Sequence, residues 1–156
     1  MANLDTTDQQ ILKELQQNSK LSTKELASLV NLTPTPVFER QKRLEKEGYI
    51  KKYVAVLDPE KLGYGIIVLC SVKLKQHTRE NGNQFMSVIN QMDQVTECYN
   101  ISGEYDFMMK VYVRDMKDYQ DFVMNKLGSI DCIGGLQSIF VIGEAKHSNC
   151  IPIKND

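Results

Sequence analysis

A glycine, two carboxylates and a tyrosine stand side by side at Gly103, Glu104, Tyr105 and Asp106. On an extended chain Glu104 and Asp106 point to the same side. Two carboxylates placed together in this way could serve as a general acid and a general base. The same residues suit a ligand site, because glycine lets a ligand approach the backbone and a carboxylate accepts hydrogen bonds. A solvated hairpin turn is the third interpretation, and the four residues alone leave all three open.

The other side chains with reactive or metal-binding chemistry are scattered along the chain. His77 and His147 lie in turn-like or terminal segments, and neither belongs to a nucleophile, metal or base motif. The four cysteines, at positions 70, 98, 132 and 150, form no C-x-x-C motif and have no histidine pair nearby. We therefore expect free thiols in a reducing cytoplasm, and we predict no metal site, no cofactor and no enzyme.

A basic segment offers a different kind of chemistry. Residues 33–53 hold six cations and three carboxylates, a local charge of +3 in a chain whose net charge is −1. If residues 34–46 are helical, one face is polar and the opposite face carries Val37, Gln41 and Leu44. The polar face carries Thr35, Glu39, Lys42, Arg43 and Lys46. Such a face suits the major groove of DNA, although a solvated surface and a protein-docking helical hairpin stay open as alternatives.

Local signals predict a tight corner before this helix. Ser22 followed by Glu25 is a capping box that opens a preceding helix, and Asn31 is a plausible end for it. Thr33 then caps the basic helix, and Pro34 fits its first position because that N–H has no intrahelical partner. Two short helices joined in this way are typical of a helix-turn-helix.

Two further elements complete the predicted N-terminal domain. Asp5 or Thr6 caps a first helix that ends near Asn18. Gly48 ends the basic helix, and the alternation over residues 49–53 predicts a strand-like wing. Because a punctuated connector follows, we place this domain and its linker at residues 1–60.

The second domain, residues 61–156, alternates strand and helix periods in the order β-α-β-β-α-β. Strands are predicted over residues 65–75, 95–101, 107–113 and 136–145, with a polar turn at 78–83 and a helix cap at Asp115. This is the ferredoxin-like layout, in which both helices cover one face of a four-stranded antiparallel sheet. The chain is therefore α+β.

The other face of this sheet would stay uncovered in a single chain. The first strand is apolar on both sides, and a small domain seldom exposes such a surface. We therefore expect a homodimer, with Val68 and Val72 as positions where a buried charge would split or unfold it. The chain has neither a leader segment nor an apolar run of about 18 residues, so no membrane association is expected.

The motifs together resemble the Lrp/AsnC family of bacterial and archaeal transcription regulators, over nearly the whole chain. The motifs are LDTTDQQILKEL at residues 4–15, LTPTPVFERQKRLE at 32–45 and GEYDF at 103–107. One departure is Gln41, where the family usually has an aliphatic residue. The resemblance implies a winged helix-turn-helix joined to a regulatory domain that binds a small, amino-acid-like effector, and dimers that assemble into octamers.

The outward face of the basic helix, the chemistry of an amino-acid ligand and the resemblance together predict site residues. The DNA-binding residues would be Thr33, Thr35, Pro36, Glu39, Arg40, Lys42 and Arg43, with Arg40 at the flank, where it contacts phosphate or forms an internal ion pair. The effector, held between subunits, would contact Gly103, Glu104, Tyr105, Asp106, Leu136, Gln137 and Ser138. Asp106 would accept hydrogen bonds from an ammonium group, and Ser138 would donate to a carboxylate. A metabolite sensor without a DNA role and a small enzyme on the second domain are the alternatives.

Overall fold

The computed structural model describes residues 4–153, which divide into two units. The first unit contains the described residues up to 56 together with those from 146 onward, and the second unit contains residues 57–145. The sequence predicts that the last residues belong to the second domain, whereas the structure groups those from 146 onward with the first unit. The reason is a pair of hydrogen bonds between the Gln16 side-chain amide and the backbone N–H and C=O of Ile151, at 2.6 and 3.2 Å.

The first unit is built from three helices, α1 (Thr6–Gln17), α2 (Thr23–Leu29) and α3 (Pro34–Lys46). Asp5 caps α1 and forms a capping box with Asp8, while Ser22 and Glu25 form the predicted box at α2. The apolar stripes meet in one small core, which consists of Ile11, Leu15, Leu26, Ala27, Val37 and Leu44. This core fixes α3 against the other two helices.

Two residues with positive φ end α2 and α3 as predicted. Asn31 has φ 54°, and the chain turns there so that the N–H of Leu32 bonds to the carbonyl of Ala27 at 3.0 Å. Gly48 has φ 81°, the left-handed conformation that glycine adopts without strain. The tight corner between α2 and α3 is therefore confirmed.

The strand-like wing over residues 49–53 was wrong as a secondary-structure prediction. A strand needs a hydrogen-bonded neighbour, and within residues 4–153 nothing pairs with this segment. It is held instead by side chains, since the Tyr53 hydroxyl bonds to Gln41 at 2.9 Å and to Glu45 at 3.0 Å. Gln41, the departure from the family pattern, therefore fixes the chain that leaves α3.

The second unit has the predicted β-α-β-β-α-β order. Its elements are β1 (Ile66–Leu74), α4 (Arg79–Ile89), β2 (Val95–Asn100), β3 (Phe107–Val113), α5 (Met116–Asp121) and β4 (Ile133–Phe140). A π-helical segment (Phe122–Lys126) and a short 3-10 turn (Leu127–Ser129) continue α5. All pairs are antiparallel in the order β2-β3-β1-β4, so the ferredoxin-like fold is confirmed.

Two predicted boundaries in this unit were wrong. Residues 79–83 belong to α4, not to a polar turn, because Thr78 caps that helix by accepting from the N–H of Asn81. The last strand begins at Ile133 and ends at Phe140, earlier than the predicted 136–145. Gly134 lies inside this strand, and the position suits glycine because a Cβ there would come within 3.1 Å of the Lys75 backbone.

The two faces of the sheet have different environments. Val68, Cys70 and Val72 point toward the helices and are fully buried, in a core that also contains Phe85 and Phe122. By alternation, Ile67, Leu69 and Ser71 lie on the opposite face, which no helix of the second unit covers. Val68 and Val72 were therefore the wrong positions at which to probe an interface, because a charge there would disrupt the core of one subunit.

Candidate DNA interface and ligand-binding unit

The outer face of α3 presents the polar side chains that the sequence predicted. Thr35, Glu39 and Lys42 are exposed, and Pro36 is half-buried at the start of the helix. Thr33 occupies the N-cap, where its side chain makes no capping hydrogen bond. Helix residues near this end are the ones that a helix-turn-helix brings to base edges.

Two arginines of α3 are engaged inside the unit. The carboxylate of Asp8, with only 1% of its side chain exposed, accepts from Arg40 at 2.8 Å and from Arg43 at 2.5 Å. Arg40 also contacts Asp5 at 2.6 Å. The Asp8 backbone N–H and the Arg40 guanidinium hold the pKa of Asp5 below its usual value. This four-residue cluster, Asp5, Asp8, Arg40 and Arg43, joins α1 to α3, so Arg40 forms the internal ion pair that the sequence left open.

Lys42 differs from these arginines because its surroundings are solvated. Its ammonium group lies 2.7 Å from Glu45 and 5.8 Å from the ring centre of Phe38. The side chain of Lys42 is 57% exposed, and an exposed ion pair of this kind contributes little to stability. Phe38, which is 50% exposed, was missed although its helical position between Thr35 and Lys42 signalled an outward aromatic residue.

The turn at residues 103–106 separates its two carboxylates. Gly103 has φ 116°, and Glu104 is exposed with Lys73 3.9 Å away. Asp106 is buried, where its carboxylate accepts the N–H of Leu74 at 2.7 Å and contacts Nδ1 of His77. The two groups therefore have different environments, and Asp106 already binds two donors of its own chain.

The remaining predicted effector residues lie elsewhere on the sheet. Ser138 pairs with Cys70 on β1, whereas Asp106 bonds to Leu74, four residues further along that strand. This spacing corresponds to roughly 13 Å. Gln137 points to the uncovered face and Leu136 toward the helices. One subunit therefore does not bring the turn and Ser138 into one pocket.

Ser138 belongs instead to a cleft between α5 and β4. The Tyr119 hydroxyl donates to Ser138 Oγ at 2.5 Å and lies 3.3 Å from the Cys70 thiol. Burial, followed by the Cys70 contact, raises the pKa of Tyr119 well above its usual value. The cleft beside Ser138 has a volume of about 460 Å³. Its lining consists of Met116, Lys117, Tyr119, Gln120, Val123, Met124 and Ser138.

The uncovered face of the sheet combines apolar side chains with one central charge. Leu69 is half-buried and Ile139 is 45% exposed on this face. Between the strands, Lys110 lies 3.9 Å from Glu97 and 4.0 Å from Glu144. An apolar surface with an internally balanced cation is compatible with burial against a protein partner.

Two further features bear on the kind of site that the described residues can form. Among residues 4–153, no group of three or more His, Cys, Asp or Glu side chains is arranged to hold a metal ion. None of the helices in that range is long and apolar enough to cross a membrane.

Comparison with known families assigns both units. The model of the Lrp/AsnC ligand binding domain matches residues 67–151, and a winged helix-turn-helix DNA-binding model matches residues 4–51. The chain belongs to the Lrp/AsnC family. Among its relatives, the DNA-binding transcriptional activator DecR of Escherichia coli (strain K12) is 38% identical, over 97% of this chain and 99% of DecR.

Other Lrp/AsnC proteins give the same result. The leucine-responsive regulatory protein of Escherichia coli (strain K12) is 33% identical, over 97% of this chain and 92% of its own. A transcriptional regulator from Neisseria meningitidis, solved in complex with L-Met, superimposes with a TM-score of 0.93. It is 32% identical, and the match covers 96% of this chain and 97% of that one.

Membership in the Lrp/AsnC family decides between the classes of function. The chain is a transcription regulator with a DNA-binding and a ligand-binding domain, and its family consists of regulators, not enzymes. The acid and base interpretation of Glu104 and Asp106 is therefore set aside. The individual DNA-contacting and effector-contacting residues stay predictions.

Proposed function

We propose that this regulator binds specific DNA sites through α3 and that a small amino-acid-like effector, bound by the second unit, changes that binding. The observation that carries the DNA part is the exposed polar face of α3, held in place by the Asp8 ion cluster. A regulator of this kind acts where the DNA is, so we propose a cytoplasmic location.

We propose that the DNA-contacting group starts at the N-terminus of α3. It comprises Thr33, Thr35, Pro36, Phe38, Glu39 and Lys42. The Phe38 ring suits the methyl group of thymine, and Lys42 suits a phosphate. Arg43 uses one terminal nitrogen on Asp8, and 46% of its side chain is exposed, so it keeps donors for DNA. Arg40 positions the helix.

The amino-acid effector is supported by relatives and by the turn at residues 103–106. One relative is named as leucine-responsive and another was solved with L-Met. Asp106 lies beside Leu74 of β1 and Ser138 lies beside Cys70, four residues away on the same strand. Both can therefore contact one ligand only if they come from different subunits. We therefore propose an effector site shared between subunits.

A shared site requires an oligomer, and the uncovered sheet face supports one. We propose that a second copy covers this face, with Ile67, Leu69 and Ile139 at the contact. Dimers would then present two copies of α3 to two half-sites, and further association of dimers would form an octamer.

Fluorescence anisotropy tests the proposal. Labelled fragments pooled from the host genome are titrated with the protein at two salt concentrations, with and without each amino acid. Tight, salt-dependent binding to a subset of fragments, altered by at least one amino acid, is expected. Equal weak binding to all fragments, with no response to any amino acid, would instead favour a metabolite sensor without a DNA role.

A further inference from the structure

A connected set of side chains joins the segment that leaves α3 to Lys42 on the outer face of that helix. The hydroxyl of Tyr53 accepts from the side-chain amide of Gln41 at 2.9 Å and donates to Oε1 of Glu45 at 3.0 Å. The Gln41 amide also lies 3.4 Å from the same oxygen of Glu45. The other oxygen, Oε2, lies 2.7 Å from the ammonium group of Lys42. One carboxylate therefore connects Tyr53 to Lys42.

The carboxylate of Glu45 is charged, and it is less exposed than its cation. The hydrogen bond from Lys42 holds the pKa of Glu45 below its usual value, although burial acts in the opposite direction. The side chain of Glu45 is 25% exposed, against 57% for that of Lys42. An ammonium group has three N–H donors, so Lys42 can bind Glu45 and a phosphate at the same time.

Contacts that restrict Lys42 before DNA arrives favour binding, because a free lysine side chain loses rotamer freedom when it binds a phosphate. Glu45 and the ring of Phe38, 5.8 Å from the ammonium group, both restrict it. Glu45 is itself a long side chain, and its position depends on the hydroxyl of Tyr53 and the amide of Gln41. The segment after α3 therefore contributes to the order of a side chain on the outer face of the helix.

We propose that Tyr53 is a positioning residue for DNA binding. Its hydroxyl fixes the carboxylate of Glu45, which in turn holds Lys42 where it meets a phosphate. Gln41 orients the same hydroxyl from α3. This inference rests on the proposed function, in which Lys42 is the phosphate contact, and it adds a residue outside α3 that acts only through that contact.

Fluorescence anisotropy on the full-length protein tests the proposal with a labelled duplex of mixed sequence, because phosphate contacts do not depend on base sequence. Tyr53→Phe keeps the ring but removes the hydroxyl, and it should weaken binding about fivefold, the loss expected when one long side chain is no longer held in place. Tyr64→Phe, which removes a hydroxyl from the second unit, is the matched control and should bind like the unaltered protein.

A double-mutant cycle separates positioning of Lys42 from a general structural role of Tyr53. In the Lys42→Ala protein, adding Tyr53→Phe should change the affinity by less than about twofold, because no ammonium group is left to position. A role in holding α3 as a whole would give the same loss in both backgrounds. An equal loss in both backgrounds, or binding by Tyr53→Phe as tight as that of the unaltered protein, overturns the proposal.

A second pair of variants tests the contribution of Glu45. Removing a carboxylate near DNA ordinarily strengthens binding, and Glu47→Gln should show this effect. Glu45→Gln removes the same charge but also the attraction that holds Lys42, so it should bind DNA more weakly than Glu47→Gln. Equal or tighter binding by Glu45→Gln overturns the proposal. An unaltered affinity in Lys42→Ala alone would instead refute the proposed phosphate contact, and this inference with it.

Discussion

Replacing Asp8 by asparagine tests whether the ion cluster holds the DNA-binding unit together. The substitution keeps the shape of the side chain but removes the charge that Arg40 and Arg43 share. Breaking a buried ion pair from one side costs about 3–5 kcal/mol. Because both arginines are partly exposed and can be hydrated again, we expect the unfolding free energy to fall by about 3 kcal/mol, the lower end of that range. The total free energy of unfolding of a unit of this size is only about 3–9 kcal/mol.

Hydrogen exchange measured by mass spectrometry reports the two units separately. In Asp8→Asn, amides of α1 and α3 should exchange roughly a hundredfold faster, whereas peptides from α4 and β3 should be unchanged. Glu39→Gln is the matched control, because it removes one negative charge from an exposed position of α3. If Asp8→Asn exchanged no faster than Glu39→Gln, the cluster would contribute nothing to the position of α3, and Arg40 would be free to serve DNA.

Three other predictions concern DNA, assembly and pH. Lys42→Ala should weaken DNA binding and lower the salt slope by about one unit without changing α3 exchange; an unaltered slope in anisotropy titrations would remove Lys42 from the interface. Leu69→Glu should give a folded protein of smaller mass in light scattering, whereas Val68→Glu should lose its fold; unchanged mass for folded Leu69→Glu would refute the proposed dimer face. Burial raises the pKa of the Tyr119 phenol and of the Cys70 thiol, so the folded unit keeps protons that the unfolded chain releases above about pH 9–10. The stability of the second unit should therefore fall as pH rises past that range, and less steeply in Tyr119→Phe, as measured by thermal unfolding at several pH values.

Features set by neighbouring residues were predictable from the sequence. The corner at Asn31, the end of α3 at Gly48 and the capping box at Ser22 each depend on residues within one helical turn. The order of strands and helices along the second domain followed from the alternation of strand-like and helix-like hydrophobic periods in its sequence. The predicted last strand began too late because Gly134 and Gly135 carry no strand signal in the sequence, whereas the structure pairs Ile133 with Leu74 across a register shift beside Gly134.

Features set by distant residues were not predictable in the same way. The sequence left two roles open for Arg40, and the choice depends on Asp8, whose position beside it follows only from packing α1 against α3. The separation of Asp106 from Ser138 depends on strand register, which a single sequence does not specify. The prediction of a strand over residues 49–53 was wrong because alternation of side chains indicates a strand but does not supply the neighbouring strand that it must pair with.

The return of the chain to its first helix has a consequence for how the protein folds and is handled. Because Ile151 bonds to Gln16, the second unit is in effect an insertion within the first, attached to it at both ends. Closing so long a segment costs entropy, and prior folding of the inserted unit supplies much of that closure. The tail should therefore dock late, after the sheet has formed. A bulky group attached near Ile151 would therefore lie on the DNA-binding unit, and the same group in an exposed loop of the second unit would disturb DNA measurements less.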